Sequence, residues 1–309
     1  MGRHPAVRWI RRVSPAVLKA DLAAFVRRHV ERSLKANTVV NSLHTPSASD
    51  TVMPLSKPAR HFNRQSIWQL KNSTPRAPDQ PLPVPPAEYR YYQDTHPYLT
   101  TGHADSLHLR RLFDQLGVGL NGGTVMDWGC RDCRVLRHFA AEAQEGDFWG
   151  VDQHGPSIEW AKEHLAPPFK FVTCSAYPHL PFEDRTFDVI FGLSVFTHIV
   201  ALADAWLMEM RRILKPGGYG LFSVHDEHTW QLLSQNEATR EQFALTPEDI
   251  GKAASGDLVV IDGPDLPSEY VNVFHSTARI KREWGQYFEI VSIQPGFYHQ
   301  SMVVLRKPK

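Results

Sequence analysis

Two acidic residues, Asp127 and Asp152, each lie at the end of a short apolar run in this 309-residue chain, and they are the clearest candidates for ligand-binding residues. The first is followed by Trp128 and Gly129, and a glycine turn there lets the backbone approach a ligand closely. The second lies about 25 residues further on, where a carboxylate is placed to accept hydrogen bonds from the two hydroxyls of a ribose. Together the pair predicts a site for a nucleoside-containing cofactor.

The glycine content of this loop selects between two classes of such cofactors. A dinucleotide site requires three glycines at a fixed spacing so that a helix N-terminus can hold a pyrophosphate, and here Gly129 alone is present. S-Adenosylmethionine contains adenine and ribose but no phosphate, so it demands less of that helix end. We therefore expect S-adenosylmethionine, and a nicotinamide oxidoreductase is disfavoured because the glycine spacing is wrong.

The chain after Tyr98 alternates short apolar runs with helical periodicities, which is the pattern of parallel strands joined by crossover helices. Predicted strands cover residues 124–128, 148–151, 169–173, 188–195 and 220–224, with further strand-like runs at 258–261, 270–274, 288–293 and 302–305. Predicted helices cover residues 107–116, 135–143, 156–165, 202–214 and 277–284, and the second of them is expected to start near Asp132. We expect a doubly wound α/β domain with its ligands outside the carboxyl ends of the strands.

Composition divides the chain into three segments. Residues 1–40 combine an amphipathic helical pattern with nine Lys or Arg against two Asp or Glu, a net charge of +7. Residues 41–96 are predicted to be a polar, proline-rich linker or strap, because closely spaced prolines favour extended backbone. Residues 97–309 are predicted to be the α/β domain.

Charge and composition also bear on partners and location. The basic segment either contacts an anionic membrane surface or an acidic partner protein, or, as we favour, is a solvated helix packed on the body of the protein. Nucleic acid is disfavoured as a partner because no aromatic stacking platform accompanies the basic residues. No run of about 18 uncharged apolar residues predicts a membrane span. Three cysteines are too few for a disulfide scaffold, which favours a cytoplasmic location.

Motifs between residues 81 and 309 resemble the class I S-adenosylmethionine-dependent methyltransferases, in particular members found beside or fused to glycosyltransferases. The resemblance implies a seven-stranded Rossmann-like sheet, mostly parallel with an antiparallel last strand. Besides the two acidic motifs, it rests on LPVPPAE at 82–88, IEW at 158–160, LPFED at 180–184, TFDVI at 186–190, SVFTH at 194–198, LKPGG at 214–218, FHS at 274–276 and WGQYF at 284–288.

Site residues follow from the resemblance position by position. It implies that Asp127 and the Gly129 turn hold the methionine end of the cofactor, and that Asp152 takes the ribose. Residues around Ser175 approach the adenine, and residues after the fourth predicted strand wall the pocket. The implied cofactor-binding residues are Asp127, Trp128, Gly129, Arg131, Asp152, Gln153, Ser175, Ala176, Leu193, Ser194 and Phe196.

The loop departs from the family pattern at two positions. Arg131 and Cys133 stand where the family usually has glycine. Two alternatives follow from this departure. Either the pocket is remodelled, with Arg131 pairing the cofactor carboxylate, or cofactor binding is lost and the chain is a non-catalytic relative that serves as a binding or scaffolding module.

Candidate bases follow the fourth and fifth predicted strands. Methyl transfer from a sulfonium is an in-line displacement, so catalysis is mainly alignment, with a base where the acceptor is a hydroxyl. His198, His225 and Asp226 are the candidate catalytic residues; the alternatives are that His198 packs beneath the cofactor and that the other two belong to a polar loop. We expect an enzyme that methylates an oxygen or, as the less favoured alternative, a nitrogen of a small molecule or glycan. The glycan preference comes from the resemblance alone.

Cysteines at two-residue spacing lie in the same loop. Cys130 and Cys133 have two residues between them, which is the spacing of zinc and redox sites, and Cys174 is the candidate third thiolate. A structural zinc, however, requires four ligands. Buried cysteines that replace small residues are the interpretation we favour. We therefore predict no metal.

Overall fold

The computed structural model describes residues 81–200, 202–235, 258–261, 272–297 and 299–309. The predicted basic segment 1–40, most of the predicted linker 41–96 and the start of the predicted strand 270–274 lie outside the described residues.

Strands and helices alternate through most of the described chain. The strands are β1 (Thr124–Trp128), β2 (Asp147–Asp152), β3 (Lys170–Thr173), β4 (Phe187–Gly192), β5 (Leu214–Val224), β6 (Leu258–Ile261), β7 (Asn272–His275), β8 (Glu289–Phe297) and β9 (Gln300–Arg306). The α-helices are α1 (Thr95–Gln115), α2 (Glu142–Glu145), α3 (Gly155–Leu165), α4 (Ala203–Ile213), α5 (Glu227–Gln235) and α6 (Thr277–Glu283). Short 3-10 segments lie at Ala87–Tyr89, Leu136–Phe139 and Trp284–Gln286.

Seven of the strands form one sheet in the order β3-β2-β1-β4-β5-β9-β8. Strands β1 to β5 pair in parallel, whereas β9 is antiparallel to both of its neighbours. The winding direction reverses at β1 and β4, which is where open α/β sheets bind ligands. The predicted doubly wound sheet, seven-stranded and mostly parallel with an antiparallel last strand, is confirmed. Strands β6 and β7 form a separate antiparallel pair.

Two hydrophobic layers cover the sheet, because successive side chains of a strand point to opposite faces. In β1, Val125 belongs to one layer and Met126 to the other. Helix α1 contributes Leu109 to the first layer, and α4 contributes Leu207 to the second. Burial of both faces leaves the loops at the strand ends to carry the polar chemistry.

Several predicted elements differ in extent from the observed ones: α1 begins at Thr95, earlier than the helix predicted at 107–116, and β5 begins at Leu214, earlier than the strand predicted at 220–224. Two other predictions are wrong because of left-handed backbone. The strand predicted at 188–195 ends at Gly192, and Ser194 beyond it has φ 57°. The helix predicted at 135–143 is instead a 3-10 segment followed by the short α2. Cys133 has φ 58°, and a left-handed residue cannot belong to a right-handed helix. A helix could therefore begin only after Cys133, a short distance before β2.

The segment 81–94, which we call the arm, packs against the loop that follows β1. The guanidinium of Arg137 donates to the carbonyl oxygens of Leu82 (2.7 Å) and Pro83 (3.1 Å). Helix α1 continues from the arm and approaches the same loop, because a Cβ on Gly102 would lie 2.1 Å from the carbonyl oxygen of Arg134. The arm and α1 are thus built against the loop that carries the candidate cofactor residues.

Candidate functional site

The loop after β1 adopts left-handed backbone at three alternate residues. The φ angles are 79° at Gly129, 37° at Arg131 and 58° at Cys133. The N–H of Gly129 donates to the carbonyl oxygen of Val151 at 2.8 Å, which holds the loop against β2. A Cβ on Gly129 would lie 2.5 Å from Cγ2 of Val195, so the turn has no room for a side chain.

Arg131 and Cys133 keep a backbone course that glycine would adopt without strain. A non-glycine residue pays about 1–2 kcal/mol for left-handed backbone, and such strain persists where surrounding bonds impose it. The N–H of Arg131 donates to Asp152 Oδ2 at 2.8 Å, and the N–H of Cys133 donates to the carbonyl oxygen of Cys130 at 2.7 Å. Arg131 and Cys133, in place of the usual glycines, therefore add side chains to the loop, and the loop keeps its left-handed backbone at both positions.

Asp152, at the carboxyl end of β2, joins the two predicted motifs. Its side chain is 8% exposed. Besides the Arg131 N–H on Oδ2, it accepts the N–H of His154 on Oδ1 at 2.7 Å. A carboxylate has about four acceptor sites, so each oxygen keeps capacity for one further donor. This arrangement fits the two hydroxyls of a ribose.

Asp127 is the second acid of this edge and is buried within β1. Burial raises the pKa of its carboxyl well above the usual range, and the nearby charge of Asp152 raises it further. Its neighbour Trp128 is also buried and packs against Phe196 and Trp206. Trp128 therefore supports the loop from the core.

The other predicted cofactor residues differ in their access to this edge. Gln153, Ser175 and Ala176 are exposed next to the ends of β2 and β3, and the N–H of Cys174 ties the second loop to the carbonyl oxygen of Asp152 at 2.8 Å. After β4, Leu193 is half-buried and Ser194 exposed.

Phe196 is placed differently from its predicted position as a pocket wall. It is 0% exposed and packs among Trp128, Phe222 and Trp284. Its ring therefore belongs to the core beneath the edge.

The three predicted bases lie at the ends of β4 and β5, and they differ in exposure. His198 is exposed, whereas His225 is 2% exposed and Asp226 is also buried. Burial, followed by the charges of neighbouring histidines, holds the pKa of His225 well below its usual range. Burial raises the pKa of Asp226, which accepts the N–H of His228 at 3.1 Å and borders an open groove of about 440 Å³.

Sequence reasoning missed Gln300, the first residue of β9. Its side-chain Nε2 donates to Ser194 Oγ at 2.8 Å and lies 3.3 Å from His225 Nε2. The N–H of Ser194 also donates to Ser223 Oγ at 2.7 Å. Three strands thus meet in one polar network. A signal for Gln300 was its polar type at the start of an apolar run, but no local motif connects it to residues about 75–106 positions earlier.

The cysteine pair is buried, and neither thiol is in a disulfide. Burial raises the pKa of the Cys130 thiol well above its usual range, and the pKa of the Cys133 thiol is also raised. Among the residues that the structure describes, no group of three or more His, Cys, Asp or Glu side chains is arranged to hold a metal ion. The thiols pack with core residues of one hydrophobic layer.

The residues at the ends of β1 and β2 fit the adenosine part of S-adenosylmethionine. The Gly129 turn permits close backbone approach, and the buried Asp152 carboxylate offers two acceptors with spare capacity. The exposed side chains after β2 and β3 border the space beside them. A helix N-terminus for a pyrophosphate is absent from the described loop, since α2 begins only at Glu142.

Residues 125–218 match the family described as Methyltransferase domain. This stretch contains β1 to β4 and the start of β5, with the loops that carry both acidic motifs. The match and the strand order agree with the predicted resemblance to the class I S-adenosylmethionine-dependent methyltransferases. The cofactor of this class is S-adenosylmethionine, as predicted from the glycine spacing.

Two similar proteins each match about a third of the chain. The "Fatty-acid O-methyltransferase" of Mycolicibacterium smegmatis is 28% identical over 105 residues, which are 34% of this chain and 38% of that protein. A "Phthiotriol/phenolphthiotriol dimycocerosates methyltransferase" of Mycobacterium ulcerans is 29% identical over 107 residues, 34% of this chain and 39% of that protein. The chain thus spans less than two fifths of the length of these relatives.

Among solved structures, a 1,6-didemethyltoxoflavin-N1-methyltransferase of Burkholderia thailandensis with bound S-adenosylhomocysteine aligns with a TM-score of 0.45 at 17% identity. The alignment covers 75% of this chain and 93% of that one.

Among the helices that the structure describes, none has both the length and the apolarity needed to span a membrane.

Proposed function

We propose that this protein is an S-adenosylmethionine-dependent methyltransferase that methylates an oxygen of a small molecule or glycan. The observation that carries the proposal is the hydrogen bond from the Arg131 N–H to the Asp152 carboxylate. It brings the left-handed loop and the ribose acid to one edge, inside the stretch that matches the Methyltransferase domain family.

The cofactor side would be formed by the ends of β1 to β3. Asp152 would accept the ribose hydroxyls, the turn at Gly129 would approach the methionine end, and the exposed loop at Ser175 and Ala176 would border the adenine. Arg131 is exposed on the loop and would pair the cofactor carboxylate. When bound, S-adenosylmethionine supplies an activated methyl group on a sulfonium.

On the acceptor side, His198 would serve as the base. It is the exposed member of the three candidates, and a base must reach the proton that it removes. His225 stays neutral at pH 7 because of its lowered pKa, and Gln300 occupies the neighbourhood of its Nε2. We infer that His225 and the buried Asp226 shape the acceptor side.

Support for an oxygen acceptor comes from the relative named a fatty-acid O-methyltransferase. The names of the two relatives also support a lipid or another small molecule as acceptor. The glycan preference rests on the resemblance to methyltransferases associated with glycosyltransferases. Radiolabelled methyl transfer to parallel panels of fatty acids, small phenols and glycans separates these classes by which panel becomes labelled.

Calorimetric titration with S-adenosylmethionine and S-adenosylhomocysteine tests the proposed cofactor. We expect saturable binding of both, and no heat at millimolar ligand would favour the scaffolding alternative. Methylthioadenosine, which lacks the amino-acid part, tests the role of Arg131. Arg131→Ala should weaken binding of S-adenosylhomocysteine but not of methylthioadenosine; an equal loss for both would contradict the carboxylate pairing.

A further inference from the structure

We propose that Asp132 is a positioning residue that holds the cofactor loop in its ligand-binding conformation by tying it to the arm and to α1. The inference rests on the proposed function, since the ligand of this loop is taken to be S-adenosylmethionine. Asp132 lies between the two left-handed residues Arg131 and Cys133. Its own hydrogen bonds therefore act at the strained part of the loop.

Asp132 binds its surroundings through both its carboxylate and its backbone. The side chain is 6% exposed. Oδ2 accepts the N–H of Tyr91 from the arm at 3.0 Å, and Oδ1 accepts the N–H of Arg134 at 3.1 Å. The carbonyl oxygen accepts the hydroxyl of Tyr98 from α1 at 2.8 Å. Residue 132 is thus fixed from the arm, from α1 and from its own loop.

Tyr98 extends this contact into a wider network. Burial raises its pKa above the usual range, so the hydroxyl remains a donor to Asp132. The same hydroxyl accepts from Arg137 Nη1 at 3.1 Å, and Arg137 also holds the carbonyl oxygens of Leu82 and Pro83. We call the side chains of Asp132, Tyr98 and Arg137 the loop clamp.

The loop clamp explains how the loop does without two glycines. Glycine at residues 131 and 133 would adopt left-handed backbone without strain, whereas Arg131 and Cys133 need surrounding structure to hold them there. Asp152 restrains the N–H of Arg131 from one side. The clamp restrains the following residue from the other side. The arm is therefore part of the cofactor site through its effect on loop shape.

A double-mutant cycle tests the clamp. Asp132→Ala is made in the wild-type chain and in the chain carrying Arg131→Gly and Cys133→Gly, with calorimetric affinity for S-adenosylhomocysteine measured well below the melting temperature. In the wild-type background we expect a loss of about tenfold or more, and in the glycine background a loss of at most about threefold. An equal loss in both backgrounds would overturn the proposal, because a role unrelated to loop strain predicts additivity.

Two further variants provide a second test of the clamp and a matched control. Tyr98→Phe removes one hydroxyl of the clamp and should show the same dependence on background, so the test survives if Asp132→Ala does not fold. Arg185→Gly is the matched control, since Arg185 is also left-handed at φ 58° but lies in an exposed turn before β4. It should not reduce the effect of Asp132→Ala; if it does, the rescue is general stabilisation and the proposal is wrong.

The experiment distinguishes a wrong cofactor assignment from a wrong clamp proposal. If the wild-type chain does not bind S-adenosylhomocysteine, the proposed cofactor is wrong. The melting temperatures of the four proteins of the double-mutant cycle then decide on the clamp. A smaller drop for Asp132→Ala in the glycine background supports it, and equal drops overturn it.

Discussion

The ends of β1 and β2, which we call the cofactor edge, and the ends of β4, β5 and β9, which we call the acceptor edge, are held together in different ways. At the cofactor edge, backbone N–H groups donate to a buried carboxylate, as in the bonds from Arg131 and His154 to Asp152. At the acceptor edge, side chains from three strands bind one another through Gln300. Backbone geometry depends on local sequence, whereas a side-chain network depends on distant residues meeting.

The two edges also differ in the type of titratable group that they bury. Burial raises the pKa of Asp127 at the cofactor edge, and burial lowers the pKa of His225 and His299 at the acceptor edge. Burial therefore disfavours the charged form of Asp127 at the cofactor edge and of the two histidines at the acceptor edge. Acid stress should act on the acceptor edge, because neutral histidines there must gain a proton on unfolding.

The largest effect is expected for Asp152→Ala, which removes the proposed ribose acceptor. It should weaken binding of S-adenosylhomocysteine about 10- to 100-fold, since a lost charge-assisted hydrogen bond costs roughly 1–3 kcal/mol. Calorimetric titration measures the change. Asp188→Ala is the matched control: this carboxylate also accepts a backbone N–H, from Thr124 at 2.9 Å, but lies at the opposite end of the sheet. Comparable losses for the two variants would remove the assignment of the ribose site.

Gly129→Ala tests the close packing of the cofactor edge. The added Cβ would meet Val195 Cγ2 at 2.5 Å, so we expect a loss of about 2–3 kcal/mol from left-handed strain and overlap together. Gly217→Ala, at φ 80° with nothing nearer than 3.8 Å, should lose about 1 kcal/mol from strain alone. Denaturant unfolding measures both. Equal losses would show that the turn is not tightly packed.

The fold could be predicted because its strands have strong local signals. The strands at Thr124–Trp128 and Leu258–Ile261 have the predicted bounds, and the glycine turn marks where the first of them ends. The helix predicted after the loop could not be corrected from sequence, since nothing local shows that Cys133 is left-handed. That conformation depends on contacts with residues of the arm and β2.

The same distinction between local signals and distant contacts applies to the residues of the two edges. The position of Asp152 at the end of β2 could be predicted because its distance from Asp127 reflects one strand, one crossover and a second strand. Gln300 could not, because its partners Ser194 and His225 meet it only when β9 inserts between β5 and β8. Asp132 was visible as an acid, but its role depends on the arm folding back onto the loop.

Stability should fall with acidification because histidines are buried in neutral form. Burial and, to a smaller extent, the charge of Arg279 together lower the pKa of His275 to about 4, whereas an unfolded histidine titrates near 6.5. Between these values the unfolded chain binds more protons, so the free energy of unfolding drops as pH falls from about 6.5 to about 4, by about 1.4 kcal/mol per pH unit for each such group.

His275→Gln isolates this contribution. The variant should flatten the loss of stability between pH 6.5 and about 4, measured by urea unfolding at several pH values. His179→Gln, at an exposed position, is the matched control and should leave the slope unchanged. Asp127 and Asp226, whose pKa values are raised, act in the opposite direction in both proteins and cancel in the comparison. An unchanged slope for His275→Gln would mean that this histidine is charged in the folded protein.

The smallest effect is expected for Gln300→Ala, which tests whether the two edges are independent. Removing the amide leaves Ser194 Oγ and the His225 ring without this partner, so the free energy of unfolding should fall by about 1 kcal/mol. Affinity for S-adenosylhomocysteine should change less than about twofold, because additivity holds for sites that share no partners. Gln294→Ala is the matched control, since that amide bonds Ser292 on the edge strand β8. If Gln300→Ala weakens cofactor binding as strongly as Asp152→Ala does, the two edges form one network and the comparison fails.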